Sequence, residues 1–156
     1  MTGVEEETSG EPRAVAAENA RRKALAAEGE LVLGADTLVT VDGAILGKPR
    51  DAEQARAYLS RLAGREHTVV GAIALTELGA IVQEAVEETA VRFRAMDGAA
   101  LDAYVATGEW EGRAGGYAIQ GRGAALVTGI RGDYLNVVGL PLGRLLDLRP
   151  DLSPIL

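Results

Sequence analysis

The feature that most constrains the fold is the apolar run over residues 31–36, which ends on a carboxylate. It reads Leu-Val-Leu-Gly-Ala-Asp, with no polar side chain before Asp36. A continuous apolar run of this kind is typical of a strand covered on both faces, as in a parallel sheet. Residues 38–46 then place Asp42-Gly43 between apolar residues, the pattern of a type I′ hairpin. The chain therefore predicts a buried strand followed at once by a hairpin.

Helices and further strands follow along the rest of the chain. Caps, glycine stops and proline starts predict helices at residues 13–28, 51–62, 98–106 and 141–149. Apolar and alternating runs predict strands at residues 67–76, 81–94 and 124–130. Strands mixed with helices over 156 residues indicate one α/β (α+β) domain, residues 1–156, with a central mixed sheet flanked by helices.

Charge and composition exclude several classes of function. The net charge of −7 argues against binding to a nucleic-acid polymer, which needs a cationic surface. Cysteine is absent from the sequence, which excludes disulfides and thiolate metal sites. No apolar run has the length of a membrane span, and the acidic N-terminus is unlike a signal peptide, so we expect no membrane association and a cytoplasmic location. A small anionic ligand stays compatible if local cations or a metal offset the negative field.

Two short segments carry residues suited to a phosphate site. Asp36, at the end of its strand, can hold a divalent metal or accept a proton from water. Lys48, in the Gly-Lys-Pro sequence after the hairpin, can hold a phosphate. Considered alone, Asp36 is more simply a turn cap and Lys48 a solvated lysine. The acidic run Glu5-Glu6-Glu7 is likewise explained by solvation, unless one glutamate joins Asp36 around Mg²⁺ or Mn²⁺.

A glycine-rich loop over residues 112–123 offers a second candidate region. Its five glycines allow close backbone approach to a ligand, and its apolar Tyr-Ala-Ile segment indicates an ordered loop. Gln120 can donate and accept hydrogen bonds at once, which suits the edge of a base. His67 is the sole histidine and lies beside an apolar strand, so we expect a structural role and no nucleophilic triad. Lys23, next to two arginines on a helix, is most simply a surface charge.

Four motifs, in this order and spacing, resemble the Maf family of nucleoside triphosphate pyrophosphatases. They are Ala-Asp-Thr (35–37), Gly-Lys-Pro (47–49), Ala-Gly-Gly-Tyr-Ala-Ile-Gln-Gly (114–121) and Gly-Asp-Tyr-Leu-Asn-Val-Val-Gly-Leu-Pro (132–141). The resemblance implies a fold of the Maf and inosine-triphosphatase type and hydrolysis of a nucleoside triphosphate between its α- and β-phosphates. It further implies a divalent metal cation, Mg or Mn, and a homodimer.

The same resemblance implies roles for six residues. Asp36 falls on the family's proton acceptor and shares the metal position with Glu6. Four further positions face the substrate, namely Lys23, Lys48, Thr37 and Gln120. The lysines would face phosphates, whereas the threonine and the glutamine would choose the base. This combination is similar to that of the branch acting on dTTP, UTP and related pyrimidine nucleotides.

The chain departs from the family's pattern at three places. The family opens with a strand and a Ser-Pro-Arg-Arg loop, which do not appear before residue 6 of this sequence, so we expect poor activity and lower stability than in a full-length relative. Gly112-Arg113 stands where Asp-Lys is usual, a change that keeps the cation. Gly71 stands where threonine is usual, and we expect this glycine to loosen its strand slightly.

Two other functions stay open at this point. One is a non-catalytic nucleotide-binding or regulatory protein of septum formation that has kept the fold. The other is a purine-directed pyrophosphatase of the inosine-triphosphatase fold, against which the loop around Gln120 argues. Pyrophosphate release from dTTP, UTP and CTP separates these functions from the pyrimidine-directed enzyme.

Overall fold

A five-stranded antiparallel sheet organises the part of the protein that the computed structural model describes, which is residue 6 and residues 9–155. Its strands are β1 (Leu31–Val41), β2 (Ala44–Leu46), β3 (Glu66–Glu77), β4 (Ala80–Phe93) and β5 (Val127–Arg131). They lie in the order β2-β1-β3-β4-β5, and every strand pair in this sheet is antiparallel. The predicted α/β class, with helices flanking a central sheet, is confirmed. The predicted mixture of parallel and antiparallel strands is wrong for the described residues, because β1 pairs antiparallel with both β2 and β3.

Helices pack against this sheet. They are α1 (Pro12–Ala26), α2 (Ala52–Leu62), α3 (Gly98–Ala106), α4 (Tyr134–Val138) and α5 (Leu142–Leu148). Predicted caps are present, because Asp51 accepts a hydrogen bond from the Gln54 backbone N–H and Asp97 accepts one from Ala100. The short helix α4 was not predicted, since its sequence indicated only the cap and start of α5. No helix within the described residues is long and apolar enough to cross a membrane.

The hairpin between β1 and β2 has the predicted turn. Asp42 and Gly43 have φ angles of 53° and 75°, the left-handed pair that a type I′ turn requires. Beyond the hairpin, β1 pairs with β3 over ten positions, from Leu31 opposite Glu77 to Thr40 opposite Thr68. The predicted cover on both faces is wrong at the start of β1, where Leu31 and Leu33 are 41% and 40% exposed.

The helix α1 packs on the face of β1 opposite to Leu31 and Leu33, and the two backbones come very close. A Cβ atom on Gly34 would lie 2.2 Å from the Ala20 carbonyl oxygen and 2.5 Å from the Ala24 nitrogen, so only glycine lets the helix backbone approach the strand. The small side chains Ala16, Ala20 and Ala24 are fully buried on this face. The opposite face of the sheet carries the larger apolar cluster, which includes Val39, Leu59, Phe93 and Tyr117.

Candidate active site

An open cleft of about 530 Å³ lies along β1 and the glycine-rich loop, a volume in the range of small-molecule sites. Five of the six predicted site residues line it, namely Lys23, Asp36, Thr37, Lys48 and Gln120. The sixth, Glu6, contacts both lysines. Neighbouring side chains on a strand point to opposite faces, yet Asp36 and Thr37 both line the cleft. The cleft therefore wraps around the edge of β1.

Asp36 is the buried carboxylate of this cleft, with 5% of its surface exposed. Its Oδ2 accepts a hydrogen bond from the Asn19 side-chain amide at 3.0 Å, and its Oδ1 accepts one from the Lys23 ammonium at 3.1 Å. Burial raises the pKa of Asp36 above the ordinary aspartate range, and the hydrogen bonds from Asn19 and Lys23 offset part of that rise. A carboxylate with a raised pKa is a better proton acceptor near neutral pH.

Lys23 bridges the two carboxylates that sequence resemblance assigns to the metal. Its ammonium donates to Glu6 Oε1 at 2.6 Å and to Asp36 Oδ1 at 3.1 Å. Burial works against the charged form, but the two carboxylates outweigh it and the pKa of Lys23 is raised. The interpretation of Lys23 as a plain surface charge is therefore wrong. The residue forms the centre of an ion cluster.

Lys48 completes this cluster from the hairpin side. Its ammonium donates to Glu6 Oε1 at 3.1 Å, so this one oxygen accepts hydrogen bonds from both lysines. Burial opposes ionisation of Glu6, and the hydrogen bonds from the lysines outweigh that effect and lower its pKa. The group of Glu6, Asp36, Lys23 and Lys48 thus carries two charges of each sign. Glu5 and Glu7, the neighbours in the acidic run, lie outside the described residues.

The glycine-rich loop forms the wall of the cleft facing this cluster. The Gly115 N–H donates to the Gly47 carbonyl at 3.1 Å, which ties the loop to the segment carrying Lys48. Gly115 has a φ of 72°, and a Cβ there would lie 2.8 Å from Val39, so the contact requires glycine. Gln120 is exposed in the cleft. The prediction of an ordered loop is confirmed by these contacts.

His67 is a structural group, as its sequence context predicted. It is 2% exposed, its Nε2 lies 2.7 Å from the Tyr117 hydroxyl in a hydrogen bond, and its ring meets Phe93 edge to face at 4.9 Å. Burial lowers the pKa of His67 to about 4. The imidazole therefore stays neutral and holds the glycine-rich loop through Tyr117.

Asn19 and Glu109 belong to the site but were missed by reasoning from the sequence. Asn19 stands one helical turn before Lys23, and this spacing alone places both on one face of α1. Glu109 lines the cleft, and it accepts hydrogen bonds from the Tyr104 hydroxyl and from the loop backbone N–H groups of Arg122 and Gly123. Its sequence carries no local signal for that role, because its backbone partners lie 13 and 14 residues further on.

The carboxylates of the cleft supply only part of the ligand set of a divalent metal. Within the described part of the chain, no group of three or more His, Cys, Asp and Glu residues is placed to hold one. Glu6 and Asp36 do face a common point, because both contact the Lys23 ammonium. Mg²⁺ is often held by one or two carboxylates together with substrate phosphates. This pair therefore fits a metal that completes its ligands with a phosphate, as opposed to an all-protein cage.

Comparison with known proteins supports the resemblance to the Maf family. The profile of a family described as "Maf-like protein" matches residues 2–150. A "dTTP/UTP pyrophosphatase" of Anaeromyxobacter sp. is 49% identical over 144 residues, which cover 89% of this chain and 70% of the relative. A protein of the same name from Thermus thermophilus is 46% identical over 149 residues, covering 95% and 79%. Another, from Pyrococcus horikoshii, is 44% identical over 133 residues, covering 83% and 71%.

Proposed function

This chain belongs to the Maf-like protein family, and we propose that it is a nucleoside triphosphate pyrophosphatase that converts dTTP and UTP to the monophosphate and pyrophosphate. The names of its relatives support this choice of substrate. One observation carries the chemistry: a buried carboxylate, Asp36, lines a cleft of nucleotide size and contacts the Lys23 ammonium, and Lys48 lines the same cleft. The non-catalytic alternative is not favoured, because the relatives are named as enzymes.

In the proposed reaction, Asp36 is the proton acceptor. Water attacks the α-phosphorus, the bond from that phosphorus to the oxygen bridging the β-phosphate breaks, and the water proton passes to the Asp36 carboxylate. Two donors from α1, Asn19 and Lys23, fix both carboxylate oxygens. A fixed base aligned with its water lowers the barrier without further reorganisation.

Lys23 and Lys48 are proposed to hold the phosphates and to stabilise the departing pyrophosphate. Both ammonium groups contact Glu6, so both are held at the cleft before any ligand arrives. Phosphoryl transfer depends on such electrostatic stabilisation of spread-out negative charge. Glu6 and Asp36 would hold the divalent metal, which when bound offsets phosphate charge and lowers the pKa of bound water.

Gln120 and Thr37 are proposed to select the base. Gln120 stands exposed on the loop wall of the cleft and Thr37 on the strand wall. Thr37 is partly buried, and its hydroxyl lies 3.4 Å from the Gly139 carbonyl, a contact long enough to be exchanged for one with a ligand. Uracil and thymine present both donors and acceptors, which an amide side chain can match. The metal and a homodimer are further parts of the proposal and rest on the resemblance. A cytoplasmic location is proposed as well, from the composition of the sequence.

Replacement of the proton acceptor tests the proposed function. Asp36→Asn keeps the shape of the side chain and removes the base, so we expect pyrophosphate release from dTTP and UTP with Mn²⁺ to fall by about 10³-fold. The matched control is Asp147→Asn, an exposed aspartate on α5, which should leave the rate unchanged. Circular dichroism checks the fold of both variants. Substantial residual activity in folded Asp36→Asn would remove Asp36 from this role.

A further inference from the structure

The loop segment that carries Gln120 is held in place by the carboxylate of Glu109. Glu109 Oε2 accepts a hydrogen bond from the Arg122 N–H at 2.9 Å, and Oε1 accepts one from the Gly123 N–H at 2.8 Å. Both bonds join an anion to neutral backbone donors, a pairing stronger than one between neutral groups. The backbone just after Gln120 is thereby fixed to a side chain that stands before the loop.

Tyr104 extends the same anchor to the backbone before Gln120. Its hydroxyl donates to Glu109 Oε1 at 2.6 Å and accepts from the Ala118 N–H at 3.1 Å. Tyr104 is itself buried on α3, so its side chain is held in place by packing. Tyr104 and Glu109 thus hold the loop backbone on both sides of Gln120: at Ala118 before it, and at Arg122 and Gly123 after it.

Close packing shows that the loop is shaped around this carboxylate. A Cβ atom on Gly121 would lie 2.3 Å from Glu109 Oε2, so the loop passes directly over the carboxylate only because glycine stands there. Burial opposes ionisation of Glu109, but the hydrogen bonds from Tyr104 and the loop outweigh it and lower the pKa of the carboxyl. Glu109 is therefore a stable anion and an acceptor throughout the neutral range.

Base selection needs such an anchor because the glutamine amide can bind in two ways. Thymine and uracil present a carbonyl acceptor at position 4, where cytosine presents an amino donor. A Gln120 side chain free to turn over serves either base, since it holds both an acceptor and a donor. Discrimination therefore depends on the backbone position from which the amide approaches the base.

We propose that Glu109, together with Tyr104, is a positioning residue that sets the choice of base by fixing Gln120 in the cleft. Every hydrogen bond to the Glu109 carboxylate found within the described residues comes from Tyr104 or the loop, and none comes from the Asp36 cluster. Its role is thus separate from proton transfer. It rests on the proposed function, in which Gln120 contacts the base.

Three variants test this role. Glu109→Gln turns an acceptor into a group that also donates, and Tyr104→Phe removes one hydroxyl with its packing retained. For both we expect the ratio of kcat/KM for dTTP to that for CTP to fall about tenfold, mainly through a higher KM for dTTP. Glu111→Gln, an exposed glutamate two residues away, is the matched control and should keep the wild-type ratio.

Hydrogen exchange of the ligand-free protein supplies a readout that does not depend on turnover. The N–H groups of Arg122 and Gly123 should exchange at least about tenfold faster in Glu109→Gln than in wild type. Unchanged exchange, or faster exchange with the wild-type base ratio retained, overturns the role of Glu109. Absence of both turnover and binding of dTTP and CTP by wild type overturns the proposed function as well. A wild-type preference that survives in both variants overturns the positioning role alone.

Discussion

Among single residues, Asn19 has the closest bearing on the chemistry of Asp36. Asn19 is fully buried, and its amide donates to Asp36 Oδ2 at 3.0 Å while Lys23 donates to Oδ1. A carboxylate held at one oxygen can turn about its bond to the chain, whereas one held at both cannot. Asn19 therefore orients the proposed proton acceptor, and Lys23 adds charge to the same contact.

Asn19→Leu removes this donor and keeps the approximate volume of the side chain. A hydrogen bond to a charged group contributes about 1.5–3 kcal/mol, so we expect kcat for dTTP to fall by roughly 10- to 100-fold with KM nearly unchanged. Steady-state kinetics measure both constants. Glu18→Gln, on the exposed side of the same helix, is the control. An unchanged kcat in Asn19→Leu would show that Lys23 alone suffices to orient Asp36.

The candidate site was predictable only where one residue carries its own signal. Asp36 stands out because it ends an apolar run, and Gln120 because it interrupts a glycine-rich loop. Lys23 and Glu6 have simple solvent-exposed explanations when taken alone, and only the resemblance selected them. Lys23 contacts Glu6, 17 residues before it, and Asp36, 13 residues after it. The contact with Asp36 depends on how α1 packs on β1. Local sequence pattern carries no information about that packing.

At the level of secondary-structure elements, the contact between α4 and the sheet explains an unusual glycine. The Asn136 amide of α4 lies within 3.3 Å of the Val69 carbonyl and within 3.1 Å of Thr89 Oγ1. Its Oδ1 sits 1.9 Å from where a Cβ on Gly71 would be. We expected Gly71 to loosen its strand. Its absent side chain instead leaves the space in which Asn136 fixes α4 to β3.

Gly71→Ala tests this contact. The added methyl group meets a buried, hydrogen-bonded side chain, so we expect a loss of about 1–3 kcal/mol in the free energy of unfolding. The control is Gly129→Ala on β5, where nothing lies within 4 Å of the new Cβ, with a change within about 0.5 kcal/mol. Denaturant unfolding measures both values.

A double mutant makes the test specific to Asn136. Without that side chain the methyl group of Gly71→Ala has room, so the variant carrying both Gly71→Ala and Asn136→Ala should lose less stability than the sum of the single changes. Full additivity would show that strain in β3 itself, and not the contact with α4, accounts for the effect.

For the whole molecule, the α/β class follows from local sequence signals, whereas the relative direction of the paired strands does not. The Asp42-Gly43 turn and the caps at Asp51 and Asp97 are short-range features, and each is found where it was predicted. The direction of β1 depends on its pairing with β3, a strand that lies beyond the hairpin and α2 in the chain. An apolar run is compatible with either direction. The apolar run therefore predicted cover on both faces of β1, whereas Leu31 and Leu33 are exposed.

Stability of the whole domain should report the burial of its sole histidine. In the unfolded chain His67 takes up a proton near its ordinary pKa of 6.5, whereas burial lowers the pKa in the folded protein to about 4. The unfolded state thus binds more protons between these values, and stability falls as the pH drops through this window. The slope approaches about 1.4 kcal/mol per pH unit. Denaturant unfolding at several pH values from about 7 down to about 4.5 measures it.

A comparison with His67→Gln isolates this contribution from the other titrating groups. Glutamine cannot take up a proton, yet its amide can still bond to the Tyr117 hydroxyl, so this variant should lack the slope above about pH 5. Asp36 acts in the opposite sense, because burial raises its folded pKa and protonation then favours the folded state. That effect is present in both proteins and cancels in the difference. Equal slopes in the two proteins would mean that the imidazole accepts a proton without leaving the core.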